Sequence, residues 1–266
     1  LLDTITVTNN SSSINDSASF VWAIAHIKKG GVILFSNNFT ITVKESISMS
    51  KALTIDAGSK KVIFDGENKI RLFLIEGSVN ETIVLRGLTF MHGFISNQDG
   101  GALYANMLNG KLIIENGKFL NNRSFDNGGA VMSTGNTSFI NCSFLNNSAD
   151  RGGAIMVYNQ GVFVNCLIAE NTATKGGAIN IENIGSTFLN CTITKNKSNG
   201  EAGAIYAWNS GQSTFENCIV FNNPTGYLTR EINNNTPAKL TFSHCALVDT
   251  AGYHDTTNII LIQSPF

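Results

Sequence analysis

Two sets of side chains are spaced so that they could act on a ligand. The first is a column of acids beside paired glycines. Asp126 and Asp150 each lie three residues before the second glycine of a Gly-Gly step, and Asp99 and Glu201 lie two before it. On adjacent turns of a repeating fold, two such carboxylates could come within the ~5 Å that a retaining glycosidase uses. Two features weigh against catalysis. Lys175 interrupts the column, and no Arg or Lys recurs as a base for drawing a proton from beside a carboxylate. Aspartate before glycine is also ordinary turn chemistry, so turn capping is the first reading of Asp126 and Asp150.

The second set follows the glycines. Two places past each second glycine stands an aliphatic residue, Leu103, Val131, Ile155, Ile179 or Ile205, and two further on Ala105, Ser133, Val157, Ile181 or Ala207. Alternation turns those columns inward and the ones between them outward. The outward columns are then Tyr104, Met132, Met156, Asn180 and Tyr206, and Asn106, Thr134, Tyr158, Glu182 and Trp208. A face bearing Tyr104, Tyr158, Tyr206 and Trp208 with Glu182 and amides suits sugars: rings stack on apolar sugar faces, and amides take the hydroxyls. The plainer alternative is that these aromatics only cover strand surface.

Other chemistries find little support. The five cysteines fall at one repeat position, without the paired short spacings of a metal site. They stand two residues before an apolar position and are expected to form a buried, reduced thiol column. His26, His92, His244 and His254 show no ligand spacing. No phosphate-cradling loop, zinc-protease helix or nucleophile elbow occurs. With 18 Lys and Arg against 19 Asp and Glu and no run of like charge, nucleic acid and anionic membranes are poor partners. No apolar run approaches the ~18 residues of a membrane span. Hydrophobic residues make up 42% of the chain and charged ones 14%, which excludes a disordered tail. The chain opens Leu1-Leu2-Asp3, which reads as a mature or trimmed product and is compatible with a removed export signal.

What must position these residues is a repeat. The second glycines at 101, 129, 153, 177 and 203 are spaced 28, 24, 24 and 26 residues apart. Out of phase with them, Asn141-Cys142, Asn165-Cys166, Asn190-Cys191, Asn217-Cys218 and His244-Cys245 are spaced 24, 25, 27 and 27, and Asn116-Gly117 holds the slot one period earlier. Three residues before each lies Ile114, Phe139, Phe163, Phe188, Phe215 or Phe242, and Asn122, Asn147, Asn171, Asn196 and Asn223 follow five or six residues after the slot. Each period breaks into short runs rich in Ile, Val, Phe and Thr, punctuated by Gly, Asn and Ser, which read as three strands per turn. Coiled so that each strand lies on its counterpart at ~4.8 Å, they form a parallel β-helix of about ten rungs, a rod on the order of 45 Å long. Phe then stacks on Phe, Cys on Cys, and Asn amides bond along the column.

The first hundred residues follow the pattern loosely, with strands expected over 4–8, 32–35, 40–43, 53–56, 62–64, 72–75 and 83–85. Between the first two, 17–29 has helical spacing, with Phe20, Ile24 and Ile27 on one face, Ser17 as N-cap and Gly30 as the stop. This helix is the candidate cap for the open first rung.

The pairing of Gly-Gly-Ala-Ile/Leu/Val with Phe-x-x-Asn, complete at Phe119–Asn122 and Phe144–Asn147, resembles the repeats of chlamydial polymorphic outer-membrane proteins and adhesin-like surface proteins. It runs over about 87–248, and the Leu53-Thr54-Ile55-Asp56 step is similar to the cap of many such proteins, although the Cys-Ser-Leu-Arg of that cap is absent. The resemblance implies a right-handed β-helix, export and often adhesion; it does not imply a catalytic constellation. Clustered acids on such a scaffold also resemble the calcium-assisted sites of pectate lyases. The expectation is therefore an all-β, single-domain right-handed parallel β-helix over 1–266: cap and first strands to 50, irregular rungs to 98, regular rungs of about 25 residues over 99–250, and an end at 251–266. It is expected to be a monomeric secreted or cell-surface module that binds a glycan or cell-surface ligand through Tyr104, Tyr158, Glu182, Tyr206 and Trp208, without metal or cofactor. The alternatives are a polysaccharide lyase or glycoside hydrolase using Asp126 and Asp150, the only reading that brings in calcium, and a passive stalk.

Overall fold

Short β-branched and aromatic runs pair with their counterparts one period later, every pair parallel, and the chain thereby winds into a β-helix of about nine turns. The computed structural model describes residues 1–76, 81–107, 109–208, 211–225, 232–234, 239–248 and 259–261. Among them, three sheets run the length of the coil. The first has ten strands and starts with β1 (Leu2–Val7) and β2 (Ile27–Phe35). The second also has ten and starts with β3 (Phe39–Thr42), and the third has eight and starts with β4 (Ile47–Met49).

Register follows the repeat. Phe139, Phe163, Phe188 and Phe215 are direct partners along the first sheet, and Phe119 partners Phe144 along the second. Their rings stack inside the coil at centroid separations of 5.0, 4.5 and 4.3 Å along the first run and 4.7 Å for the second. All are fully buried, and each contributes roughly 1.5–3 kcal/mol by burial alone.

In the regular rungs each turn between the first and second sheets is made by one left-handed residue: Asn116, Asn141, Asn165, Asn190, Asn217 and finally His244, all with φ of 54–55°. The thiols that follow point inward. All five cysteines are free and buried, and the Sγ of Cys142 donates to the carbonyls of Ile114 and Ile140. After the second sheet a further left-handed residue (Asn121, Asn146, Glu170, Lys195 or Asn222) turns the chain, and the next position is a buried asparagine. The Nδ2 of Asn171 donates to Asn196 Oδ1 at 2.9 Å and to the carbonyls of Phe144 and Ala169, while its Oδ1 accepts from the amide and Nδ2 of Asn147. The left-handed conformation thus falls on the residue before the ladder asparagine, so Glu and Lys can hold it.

The cap differs from its expected form. The helix α1 spans Phe20–His26, its N-cap is Ser19, whose hydroxyl accepts from the Trp22 amide, and it ends at Ile27 instead of Gly30. Pairing with β1 explains the early end: Ile27 is already extended and opposite Leu2. Gly30, with φ +79°, lies in the irregularity between Leu2–Ile27 and Thr4–Val32 and terminates no helix. The capping role itself holds, because the Phe20 ring is fully buried against Phe35, Phe64 and Phe73. The strand Ile47–Met49 was not legible in the sequence, since Ser46, Ser48 and Ser50 interleave only two apolar residues.

Candidate functional site

The outer surface of the third sheet carries most of the residues singled out from the sequence. Its strands Phe73–Glu76, Leu103–Asn106, Val131–Ser133, Ile155–Val157, Ile179–Glu182 and Ile205–Trp208 stack in register. The aliphatic columns point inward as alternation requires. The first outward column is a different matter. Met132, Met156, Asn180 and Tyr206 are buried, with Tyr206 only 3% exposed, and Tyr104 is half-buried. The expectation of a sugar-stacking Tyr206 is therefore overturned.

The cover is the glycine turn itself. Gly100, Gly128, Gly152 and Gly176 take φ of 61–67°, and the turn folds back against the strand it enters. A Cβ on Gly128 would lie 2.1 Å from the Val131 carbonyl oxygen, and one on Gly176 would lie 3.1 Å from Tyr206 Cβ. Only a residue without Cβ allows this approach. On two rungs a long side chain from the position before the first glycine, Arg151 or Lys175, adds to the covering, with its stem on the surface and its charge in water. Lys175 Nζ lies 5.2 Å from the centre of the Tyr206 ring and 3.0 Å from Glu201. That carboxylate, with the phenol beside it, raises the Lys175 pKa. Arg151 reaches Glu182 at 3.7 Å and Asp150 at 4.0 Å.

The second outward column stays open. Asn106, Thr134, Tyr158 and Glu182 are half-buried, and Trp208 is 49% exposed. Burial, followed by the neighbouring Glu182 carboxylate, pushes the Tyr158 hydroxyl pKa up, so it stays a neutral donor. Asn180 Nδ2 donates to Glu182 at 3.3 Å, while its buried Oδ1 has no partner among the described residues. Trp208 lies directly opposite Glu182 on the next strand. The structure thus brings together Tyr158, Glu182 and Trp208 and adds Arg151, which sequence reasoning passed over, and Lys175, which it read only as a break in the acid column. Their signal was the position before the first glycine, which reads Asp99, Asn127, Arg151, Lys175 and Glu201 along the coil.

Tyr104 and the acids lie lower on the same flank. Arg71, 6% exposed, donates from Nε to the Gly100 carbonyl and from Nη2 to the Asp99 carbonyl and Gln98 Oε1, and its guanidinium carbon lies 5.2 Å from the centre of the Tyr104 ring. Burial lowers the Arg71 pKa and raises that of Tyr104. With Glu76, Asp99 and Asp126 they line a hollow of about 470 Å³. The Asp99 carboxylate caps the next turn, accepting from the amide and Nδ2 of Asn127 at 3.1 and 2.8 Å. Asp126 and Asp150 are both exposed on adjacent rungs, joined by the Asp150 amide donating to the Asp126 carbonyl at 2.9 Å. Their side chains line different hollows: Asp150 faces one of about 280 Å³ with Arg123 and Phe125.

The histidines serve the scaffold. His26 stacks on Trp22 at 4.0 Å, His92 lies 3.1 Å from Asp65, and His244 makes a left-handed turn; His254 lies outside the described residues.

Comparison with known proteins gives a family and a structural likeness. The family described as right handed beta helix region matches residues 129–262. Among solved structures, that of pectate lyase Pel9A is similar at 17% identity with a TM-score of 0.44, and the alignment covers 92% of this chain and 62% of that one. No curated protein matches the sequence.

Proposed function

The chain belongs to the right-handed β-helix family, and on that premise we propose that it is a secreted or cell-surface module that binds a glycan along the outer face of its third sheet. One observation supports this reading above the others: the open column running from Asn106 through Tyr158 and Glu182 to the half-exposed Trp208, bordered by the Arg151–Glu182 and Lys175–Glu201 pairs. Such a face offers one stacking ring, hydroxyl and amide donors, and both signs of charge held on a rigid sheet. Rigid placement lowers the ordering cost of binding. Binding without turnover fits the acids, since Asp99 is committed to a turn and Asp126 and Asp150 face different hollows.

The test is a glycan array followed by calorimetry on the best ligand. Trp208→Ala and Tyr158→Ala are expected to weaken binding at least tenfold while leaving thermal unfolding unchanged. Unchanged affinity in both variants rejects the face. A second reading, polysaccharide cleavage, draws on the hollow of about 470 Å³, where Glu76, Asp99 and Asp126 surround Arg71 and Tyr104. It predicts reducing-end or unsaturated product from a polysaccharide panel with or without calcium, lost in Asp126→Asn. Absence of product across the panel removes it.

A further inference from the structure

The cap closes the first rung incompletely, and what it leaves open has the form of a strand-binding site. β1 extends the first sheet one rung below the others, while β3 and β4 end the second and third sheets. Among the described residues, no backbone hydrogen bond joins the cap, residues 8–26, to either strand. Beneath them lies a cavity of about 570 Å³, with Val21, Ile24 and Ala25 of α1 on one wall and every residue from 41 to 51 on the other. An unbroken run of lining residues means that the cavity follows the backbone edge, because a strand face would contribute only alternate positions.

The edge is chemically unfinished. The Ile47 amide donates upward to Leu72, so by strand alternation the N–H and C=O of Ser48, between Ile47 and Met49, point the other way, toward the cavity, and the backbone groups of Ser46 and Ser50 at its flanks have no backbone partner among the described residues. The Ser46 Oγ is buried and has no partner among the described residues. Ile47 and Met49 supply apolar floor, and Lys44 and Lys51 outnumber Glu45 at the rim. Unpaired edges of this kind are templates for an added strand.

We infer that the N-terminal end of the coil binds an extended peptide segment of a partner protein by strand addition to β4. The segment has alternating aliphatic residues, which enter the cavity, and a carboxylate at the end beside Lys44; Lys51, at the other end, donates to the Ile27 carbonyl. About five residues suffice, matching Ser46–Ser50 at roughly 3.3 Å each. The site is on a different part of the molecule from the glycan face, and neither depends on the other.

The full chain is titrated against a fluorescein-labelled peptide, Val-Thr-Val-Thr-Val-Glu, by fluorescence anisotropy. Saturable binding is expected, lost on N-methylation of either the valines or the threonines but kept when the other set is methylated, since only alternate N–H groups face β4. Ser48→Pro removes one edge donor, and Ala25→Trp fills the cavity from the helix side; each should weaken binding at least tenfold. Edge strands tolerate proline, and a thermal melt verifies that both variants fold. Lys44→Glu should weaken the peptide several-fold and spare its glutamine-ended version. Equal binding of both methylated peptides overturns the inference, as does binding indifferent to Ser48→Pro and Ala25→Trp. Displacement by dodecanoate alone would make the cavity a site for small amphiphiles. Concentration-dependent dimers abolished by Ser48→Pro would make it a contact between copies of this chain. Either result also overturns the inference.

Discussion

Two columns of asparagine climb the coil on either side of the second sheet, six residues apart in each turn, and they do different work. Asn116, Asn141, Asn165 and Asn190 are exposed and left-handed, and their amides bond to one another at 3.1–3.3 Å in water. Asn122, Asn147, Asn171, Asn196 and Asn223 are buried; the first four donate to the next asparagine at 2.9–3.0 Å, and all five donate to backbone carbonyls inside the coil. The exposed column is there for its backbone conformation, so any residue comfortable at positive φ can serve, as His244 does. The buried column is there for its amide, and no other side chain supplies two donors and an acceptor in that space. A repeated residue type is therefore no guide to its energetic weight; burial decides that.

The largest expected effect tests the thiols that stand between the columns and share the buried environment. Donation of each thiol toward the cysteine of the preceding rung, with burial, pushes Cys166, Cys191 and Cys218 up to about 12. Cys245 is pushed up as well, while Cys142, which receives the Cys166 thiol, is lowered. An unfolded thiol ionises near 8.5. Raised groups hold their protons longer in the folded state, so their stabilisation is complete below about pH 8.5 and is lost as pH climbs toward 12. Chemical denaturation should show stability falling between pH 8 and pH 10. Cys191→Ala should flatten that dependence; an unchanged slope removes the thiols as its cause.

Next comes the buried column. Asn171→Ala strands the amide of Asn147 and the carbonyl of Phe144 and should cost about 4 kcal/mol, at roughly 1–3 kcal/mol for each group left unmatched. A loss under 1 kcal/mol in urea titration would erase the distinction between the columns. Asn165→Ala, on the exposed side, should cost about 1 kcal/mol through the left-handed backbone alone, and Asn165→Gly close to nothing. If both cost the same, the lateral amide bonds matter more than the conformation. The smallest effect sharpens the rule for the neighbouring turn: Lys195, left-handed at φ 55° and exposed, should gain about 0.5 kcal/mol as Lys195→Asn, read as a small rise in melting temperature.

Much of the coil was legible because a solenoid stacks like on like. The spacing of Gly-Gly-Ala, Phe and Asn-Cys steps specified three strands per turn, the inward phenylalanines and the buried thiols. The N-terminal turns were less legible. Without repetition, the 17–29 segment was read by helical spacing, and pairing of Ile27 with β1 overrode it. The outward face was half legible. Alternation put Tyr206 outside the sheet, and it is outside; the glycine turn and Lys175 then cover it.

The sequence by itself determined the period, the coil, its register and the chemistry of each stacked column, because those depend on local pattern and on identical residues meeting at one pitch. Only the tertiary structure decided which outward residues remain in contact with solvent, which acids share a hollow, and that an unpaired edge lies beneath the cap. Those depend on how a turn folds over a neighbouring strand and where a sheet ends. Both are distances between segments with no fixed spacing in the chain, so no periodicity encodes them.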